Sequence, residues 1–237
     1  MTKHWVVVLG GTGVAGRAIV EALAHAGHDV VSASRSSGVD VATGAGLPAA
    51  LAGATVVVDA ANATKGAEAV LVTGTGNAVA ASRTAGIGHY VLIGIVGADR
   101  VPLGYYRLKL RQEAVVRAGG VPHTVLRATQ FHPFVQDLVT RTGRLGVLPA
   151  PRARFQPLDP RDLGRAVVAA VAEGPGPDRA IAGPEVLTLR EIAEQAGARR
   201  RLPIPVPGRT ARAVVAGGLT DEGAPRGTLT FREWLRP

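Results

Sequence analysis

Short apolar runs alternate with longer stretches of helical periodicity through the first half of the chain. Five runs, Trp5–Leu9, Asp29–Ala33, Thr55–Asp59, His89–Ile93 and His123–Arg127, are rich in Val and Ile and apolar at successive positions. Strands of that kind are buried on both faces, as in a parallel sheet covered on both sides. Between them, residues 14–26, 65–85 and 106–118 carry apolar positions at helical spacing, with a shorter helix near 46–52. Strand–helix alternation predicts βαβ units, and right-handed crossovers place the helices on both faces. The expected fold class is α/β, a doubly wound parallel sheet.

The pattern loosens after about residue 130. FQPLDPRDLGRAVVAAVAEG predicts a short strand and then a helix with Asp159 as N-cap, Pro160 in the first turn and Gly174 at the end. GPEVLTLREIAEQAG repeats the scheme, with Thr188 and Glu191 spaced as a capping box. RLPIPVPG is an extended proline-rich segment. The expected organisation is a single domain over 1–237, with a core over 1–130 and a small C-terminal lobe, mostly 131–237, packed on it.

The densest chemical signal is VVVLGGTGVAGRAIVEAL. Gly10, Gly13 and Gly16 form GxxGxxG directly after a strand and open a helix. Such a loop turns tightly, lets the backbone approach a pyrophosphate, and packs helix close on strand, with the phosphates on the positive helix N-terminus. This is a dinucleotide loop, and the sheet is expected to be of Rossmann type. The second strand runs into Ser34-Arg35-Ser36. An NAD-specific site places a carboxylate there for the ribose 2′-hydroxyl, whereas arginine offers a fork for a 2′-phosphate. Ser34 and Ser36 add hydroxyl donors, so NADP(H) is expected in preference to NAD(H).

Net charge is 27 − 18 = +9, with eight arginines in the last 39 residues, at 199, 200, 201, 209, 212, 226, 232 and 236. Aromatic residues make up only 4%, too few for a base-stacking surface. The charge reads as solvated arginine, and nucleic acid is not an expected partner. No apolar run reaches membrane-spanning length, and the chain enters its first strand without the sections of a signal peptide, so a cytoplasmic location is expected. Cysteine is absent, and the six histidines show no ligand spacing, so no metal site is expected. No GxSxG elbow supports hydrolysis.

GGTGVAG, SRSS, Asn62 in VVVDAAN, YYRLK, and LRATQF after the fifth strand together resemble the atypical short-chain dehydrogenases/reductases of the NmrA-like group. The resemblance runs over almost the whole chain. It implies that the loop Gly10 to Gly16, with the amides of Thr12, Val14 and Ala15, holds a pyrophosphate. Asp40 and Val41 would line the adenine, and Ala60, Ala61 and Asn62 the ribose. Ile93 and Gly94 would lie at the cofactor, and Ala128, Thr129, Gln130 and Phe131 beside the nicotinamide. The group contains quinone and flavin reductases, sugar-modifying enzymes, and redox-sensing regulators without turnover.

Tyr105 and Lys109 stand four apart, one helical turn. In catalytic members of the group, such a tyrosine exchanges a proton with the substrate oxygen. The lysine holds the ribose and lowers the tyrosine pKa from about 10. The alternative is a packing stripe of Tyr105, Leu108 and Gln112 with Lys109 in solvent. Where a hydroxyl is expected at the end of the fourth strand, the chain reads Ile93-Gly94-Ile95. Either Thr129, Gln130 or His132 supplies the missing donor, with Tyr106 a weaker replacement, or Gly94 makes room for a flat substrate. Gln130, Phe131, His132 and Phe134, with Tyr105, are the expected substrate pocket, although His132 also reads as a loop histidine packed near the phenylalanines. The expected function is NADP(H)-dependent hydride transfer to a small carbonyl, quinone or enone, by a monomer or homodimer. The alternative is a redox-silent NADP(H)-sensing regulator acting through protein partners.

Overall fold

Val6, Val7, Val8 and Leu9 are wholly buried, and strand β1 (Trp5–Leu9) lies between two neighbours, as a run apolar on both faces must. The computed structural model describes residues 2–144, 147–197 and 202–236. In chain order, β1 is followed by α1 (Val14–His25), β2 (Asp29–Ala33), α2 (Leu47–Leu51), β3 (Val56–Asp59), α3 (Thr75–Thr84), β4 (His89–Ile95), α4 (Gly104–Ala118) and β5 (His123–Ala128). Then come α5 (His132–Arg144), β6 (Val147–Pro149), β7 (Arg154–Phe155), α6 (Pro160–Glu173), β8 (Arg179–Ile181) and β9 (Leu187–Thr188). The last elements are α7 (Leu189–Gln195), β10 (Leu202–Ile204), α8 (Arg209–Val215) and α9 (Phe231–Trp234). The predicted strands and helices of the first half are therefore present, most within two residues of their expected ends.

The main sheet has six strands in the order β2-β1-β3-β4-β5-β8, with β1 parallel to β2 and β3, and β3 parallel to β4. The order reverses between β1 and β3, the place where doubly wound sheets bind ligands. A π-helical turn, Ala69–Gly74, leads into α3. The expected division near residue 130 is finer in the structure. One compact unit comprises 1–94, 107–127 and 163–179, and the second comprises 95–106, 128–162 and 180–237. Residues 95–106 fall in the second unit, and residues 163–173, most of α6, fall in the first.

The first unit's core gathers Val7, Leu9, Val57, Leu92 and Val125 from the strands with Leu47, Leu51, Val79 and Val116 from the helices. The second unit has its own core, in which Val135 and Val139 of α5 pack with Phe155, Leu187, Ile192 and Phe231. Its caps follow the sequence. Thr188 Oγ1 accepts from the Glu191 amide at 3.2 Å while the Glu191 carboxylate accepts from the Thr188 amide at 2.7 Å. Thr230 and Glu233 form a second such box, unread in the sequence. Asp159 Oδ1 accepts from the Arg161 amide at 2.7 Å. Of the arginine-rich run, Arg199, Arg200 and Arg201 lie outside the described residues.

His89 opens β4 in the interior, its Nε2 3.0 Å from the Thr124 hydroxyl. Burial, and then the nearby Arg179 with smaller contributions from His4 and His123, lower its pKa from 6.5 to about 4. The folded pKa lies below the unfolded one, so the unfolded chain takes up the proton first as pH falls. Stability from this group is full above about 6.5 and is lost down to about 4, with about 2 kcal/mol lost between pH 7 and pH 5. Urea unfolding of wild type and His89→Gln at both pH values should show a steeper pH dependence in wild type. Equal dependence in the two proteins would contradict a buried neutral His89.

Candidate functional site

The glycine loop closes as its spacing demands. Gly10 takes a left-handed backbone with φ +72°, and a Cβ there would lie 2.8 Å from Ala60 O and from the Ala61 backbone. A Cβ on Gly16 would meet Gly10 O at 2.1 Å, so helix and strand meet backbone to backbone. Gly13 differs. A Cβ there would meet only Gly10 O, at 3.3 Å, and Thr12, Gly13 and Val14 are exposed. The middle glycine thus faces open space at the N-terminus of α1, which has no side-chain cap and no acidic residue in its first turn. An exposed, electropositive helix start with room for close backbone approach fits a dinucleotide pyrophosphate.

The flanking segments converge on this loop within the first unit. Ala60 and Ala61 back Gly10, and Asn62 follows them into solvent. Arg35 is exposed at the start of a 3₁₀ turn, Arg35–Ser37, with Ser34 Oγ and Ser36 Oγ 2.8 Å apart. Asp40 closes a tight turn, accepting from the Ala42 amide at 2.9 Å. Asn77 of α3 holds that turn from behind, donating to Val41 O at 2.9 Å and Ala42 O at 3.2 Å. Asn77 was not singled out in the sequence, since an asparagine inside a helix carries no local signal of the loop that it supports.

Lys109 is not in solvent. It is 4% exposed, and its Nζ donates to Ile93 O at 2.9 Å and to Gln112 Oε1. Burial lowers the ammonium pKa to about 8, against the opposing pull of Asp59 and Glu113. The solvated-lysine alternative is therefore set aside, and Gln112 is a ligand of the lysine and not part of an apolar stripe. Tyr105 lies one turn earlier on the same helix, half-buried, its ring 5.9 Å from that of Tyr106. Burial, with Tyr105 nearby, pushes the Tyr106 hydroxyl up to about 12.

Gly94 requires a correction. A Cβ there would meet Arg127 Cγ at 2.9 Å and Glu113 Oε1 at 3.0 Å. The space beside it is filled by this ion pair, so the glycine does not make room for a flat substrate. Glu113 is wholly buried and accepts from Arg127 Nε at 3.0 Å and Arg117 Nη2 at 3.0 Å.

In the second unit, several residues expected at a ligand are committed to the interior. Thr129 Oγ1 accepts from the Gly183 amide at 3.0 Å. Gln130 is buried, donating to Leu219 O at 3.0 Å and accepting from the Gln156 amide at 3.2 Å. His132 is fully buried, its ring 5.7 Å from Phe231 and 5.4 Å from Trp234. Burial holds its pKa below the ordinary histidine value. The expectation that Gln130 and His132 line a pocket does not carry over to these side chains, and neither is placed as a substitute oxyanion donor. Ala128 is buried, Phe131 is half-buried and pairs by a bridge with Leu158, and Phe134 is 53% exposed.

The profile of the NAD(P)H-binding family matches residues 10–145, more than half of the chain. The chain belongs to the NAD(P)H-binding family. This agrees with the resemblance carried by GGTGVAG and YYRLK. No curated protein matches by sequence. Solved structures share the family's fold across nearly the whole chain. A nucleoside-diphosphate-sugar epimerase from Staphylococcus aureus is 15% identical, with 98% of this chain and 99% of that one covered and a TM-score of 0.77. An NADPH complex of a quinone oxidoreductase from Escherichia coli is 18% identical, with 97% and 98% covered and a TM-score of 0.74. A triphenylmethane reductase from Citrobacter sp. with NADP(H) is 17% identical, with 92% of each chain covered and a TM-score of 0.68. At such identities the likeness establishes the α/β fold of an NAD(P)-binding protein. Among the described residues no helix is long and apolar enough to cross a membrane, and no cluster of His, Asp and Glu could hold a metal.

Proposed function

We propose that this protein is an NADP(H)-dependent oxidoreductase that transfers hydride to a small organic substrate, a carbonyl, quinone or enone. The observation that carries the reading is Lys109, an ammonium held in the interior at the end of β4, one helical turn after Tyr105, in a chain with an intact dinucleotide loop. Bound NADPH supplies the hydride. The amides at the start of α1 hold the pyrophosphate, and Gly13 admits it. Lys109 keeps a positive charge beside the ribose and near the tyrosine. Tyr105 gives its phenolic proton to the substrate oxygen as that oxygen gains charge. The fold shared with the quinone oxidoreductase from Escherichia coli and the triphenylmethane reductase from Citrobacter sp. supports this class of chemistry.

Arg35 directs the choice of cofactor. Its exposed guanidinium follows Ser34, and no carboxylate occupies the position that would accept a ribose 2′-hydroxyl. NADPH is expected to bind at least about ten-fold more tightly than NADH, a difference of about 1.4 kcal/mol, and Arg35→Asp should erase most of it. Calorimetry with both cofactors checks this, and equal affinities in wild type would refute the preference.

The rival reading, an NADP(H) sensor without turnover, is favoured by one feature: Gly94 brings no hydroxyl, and Thr129, Gln130 and His132 are otherwise engaged. Turnover assays with NADPH against quinones, enones and aldehydes separate the two. Tight NADPH binding without oxidation by any of these classes would favour the sensor.

A further inference from the structure

Asp59 and Lys109 are both sealed in the first unit, 2% and 4% exposed, on β3 and α4. They are joined by a chain of side chains that runs in one direction. Lys109 Nζ donates to Gln112 Oε1. Gln112 Nε2 donates to Thr75 Oγ1 at 2.9 Å, and Thr75 Oγ1 donates to Asp59 Oδ2 at 3.0 Å. Gln112 and Thr75 are 0% and 1% exposed. Each intermediate accepts from the cationic side and donates toward the anionic side, so every link polarises the next. Buried charges linked in this way are costly compared with apolar packing of the same volume. Their position beside the site lysine is therefore informative.

Asp59 is tied on its other sides as well. Tyr90 donates to Oδ2 at 2.8 Å, and the Ala61 amide donates to Oδ1 at 3.0 Å. One carboxylate thus braces the turn behind Gly10 and terminates the chain from Lys109. The other titratable or charged groups near this chain are Tyr90 of β4, Glu113 of α4 and Arg127 of β5. Burial, and then Asp59, push the Tyr90 hydroxyl well above its usual value, so it remains a neutral donor. Glu113 is taken up by Arg127 and Arg117, and among the described residues Asp59 is the anion connected to Lys109 by hydrogen bonds.

We propose that Asp59 is a positioning residue for Lys109, acting through Thr75 and Gln112 to keep the ammonium charged and aimed at the carboxyl end of β4. The functional half of this proposal rests on Lys109 being the lysine of the cofactor site. Burial pulls the ammonium toward neutrality while Asp59 opposes it, so the chain decides how far the charge survives near neutral pH.

The chain has three lysines, Lys3, Lys65 and Lys109, so Lys109 can be followed by heteronuclear NMR of the lysine side chains in cofactor-free protein. In wild type it should titrate below the ordinary lysine value. Asp59→Asn is expected to lower its midpoint by about one pH unit or more, since an opposing charge nearby is lost. Thr75→Val keeps the carboxylate and the volume while removing the hydroxyl link, and should shift the midpoint part of the way. Thr75→Ser should restore it. Thr75→Val carries the test if Asp59→Asn does not fold. A folded Thr75→Val protein with an unshifted Lys109 midpoint would overturn the relay. NADPH affinity of Lys109→Met tests the underlying reading separately. Undiminished affinity there would remove Lys109 from the cofactor site, and with it the functional half of the proposal, whatever the titration shows.

Discussion

Replacing Tyr105 by phenylalanine is expected to lower the maximal rate of NADPH-dependent reduction by about 10²–10⁴-fold, the range for a lost general acid, with NADPH affinity nearly unchanged. The substitution removes one oxygen from a half-buried side chain on α4 and leaves the ring. Lys109→Met should behave differently, lowering the rate and weakening NADPH binding together, because the ammonium serves both ribose and tyrosine. The two variants thus produce a split between kcat and cofactor affinity that a folding defect would not mimic. Should Tyr105→Phe remain within about three-fold of wild type on its best substrate, the acid assignment is lost and bare hydride transfer to a quinone-like acceptor takes its place.

The largest expected effect on stability lies at Arg127. Glu113 is wholly buried, and Arg127 holds both of its carboxylate oxygens, with Arg117 and Asp178 extending the network. Arg127→Met keeps most of the stem but leaves a buried anion with one partly exposed partner. Breaking a buried pair in this way costs about 3–5 kcal/mol. Denaturant melts of wild type and variant at neutral pH check this, and a loss below about 1 kcal/mol would contradict a buried anion that depends on Arg127.

The main sheet and the glycine loop were legible because their signals are local. Four of the five apolar runs are buried through most of their length and β2, at the sheet edge, is half-buried, while Gly10 and Gly16 of GxxGxxG stand where a Cβ would clash with backbone. The place of Arg35, exposed directly after the second strand, was legible for the same reason. Asp59 was in view within VVVDAAN but unread, since its partners Thr75 and Tyr90 stand 16 and 31 residues away and are joined to it only by folding. Gly94 was misread because a missing side chain does not reveal which neighbour fills its space. His132 was legible only as two alternatives, and the aromatic pair that settles its packing, Phe231 and Trp234, lies about a hundred residues downstream.

The π-helical turn Ala69–Gly74 sets the rotational phase of α3. One surplus residue is stored there, and everything after it is turned by about 100° relative to an uninterrupted helix. Thr75 meets Asp59, and Asn77 meets the carbonyls of Val41 and Ala42, only in the phase that the turn provides. A single-residue deletion within 69–74 would therefore leave a regular, well-formed helix while rotating both contacts off their targets. Comparison of this chain with relatives lacking the surplus residue calls for a gap inside a continuous helix, where alignments by sequence seldom place one.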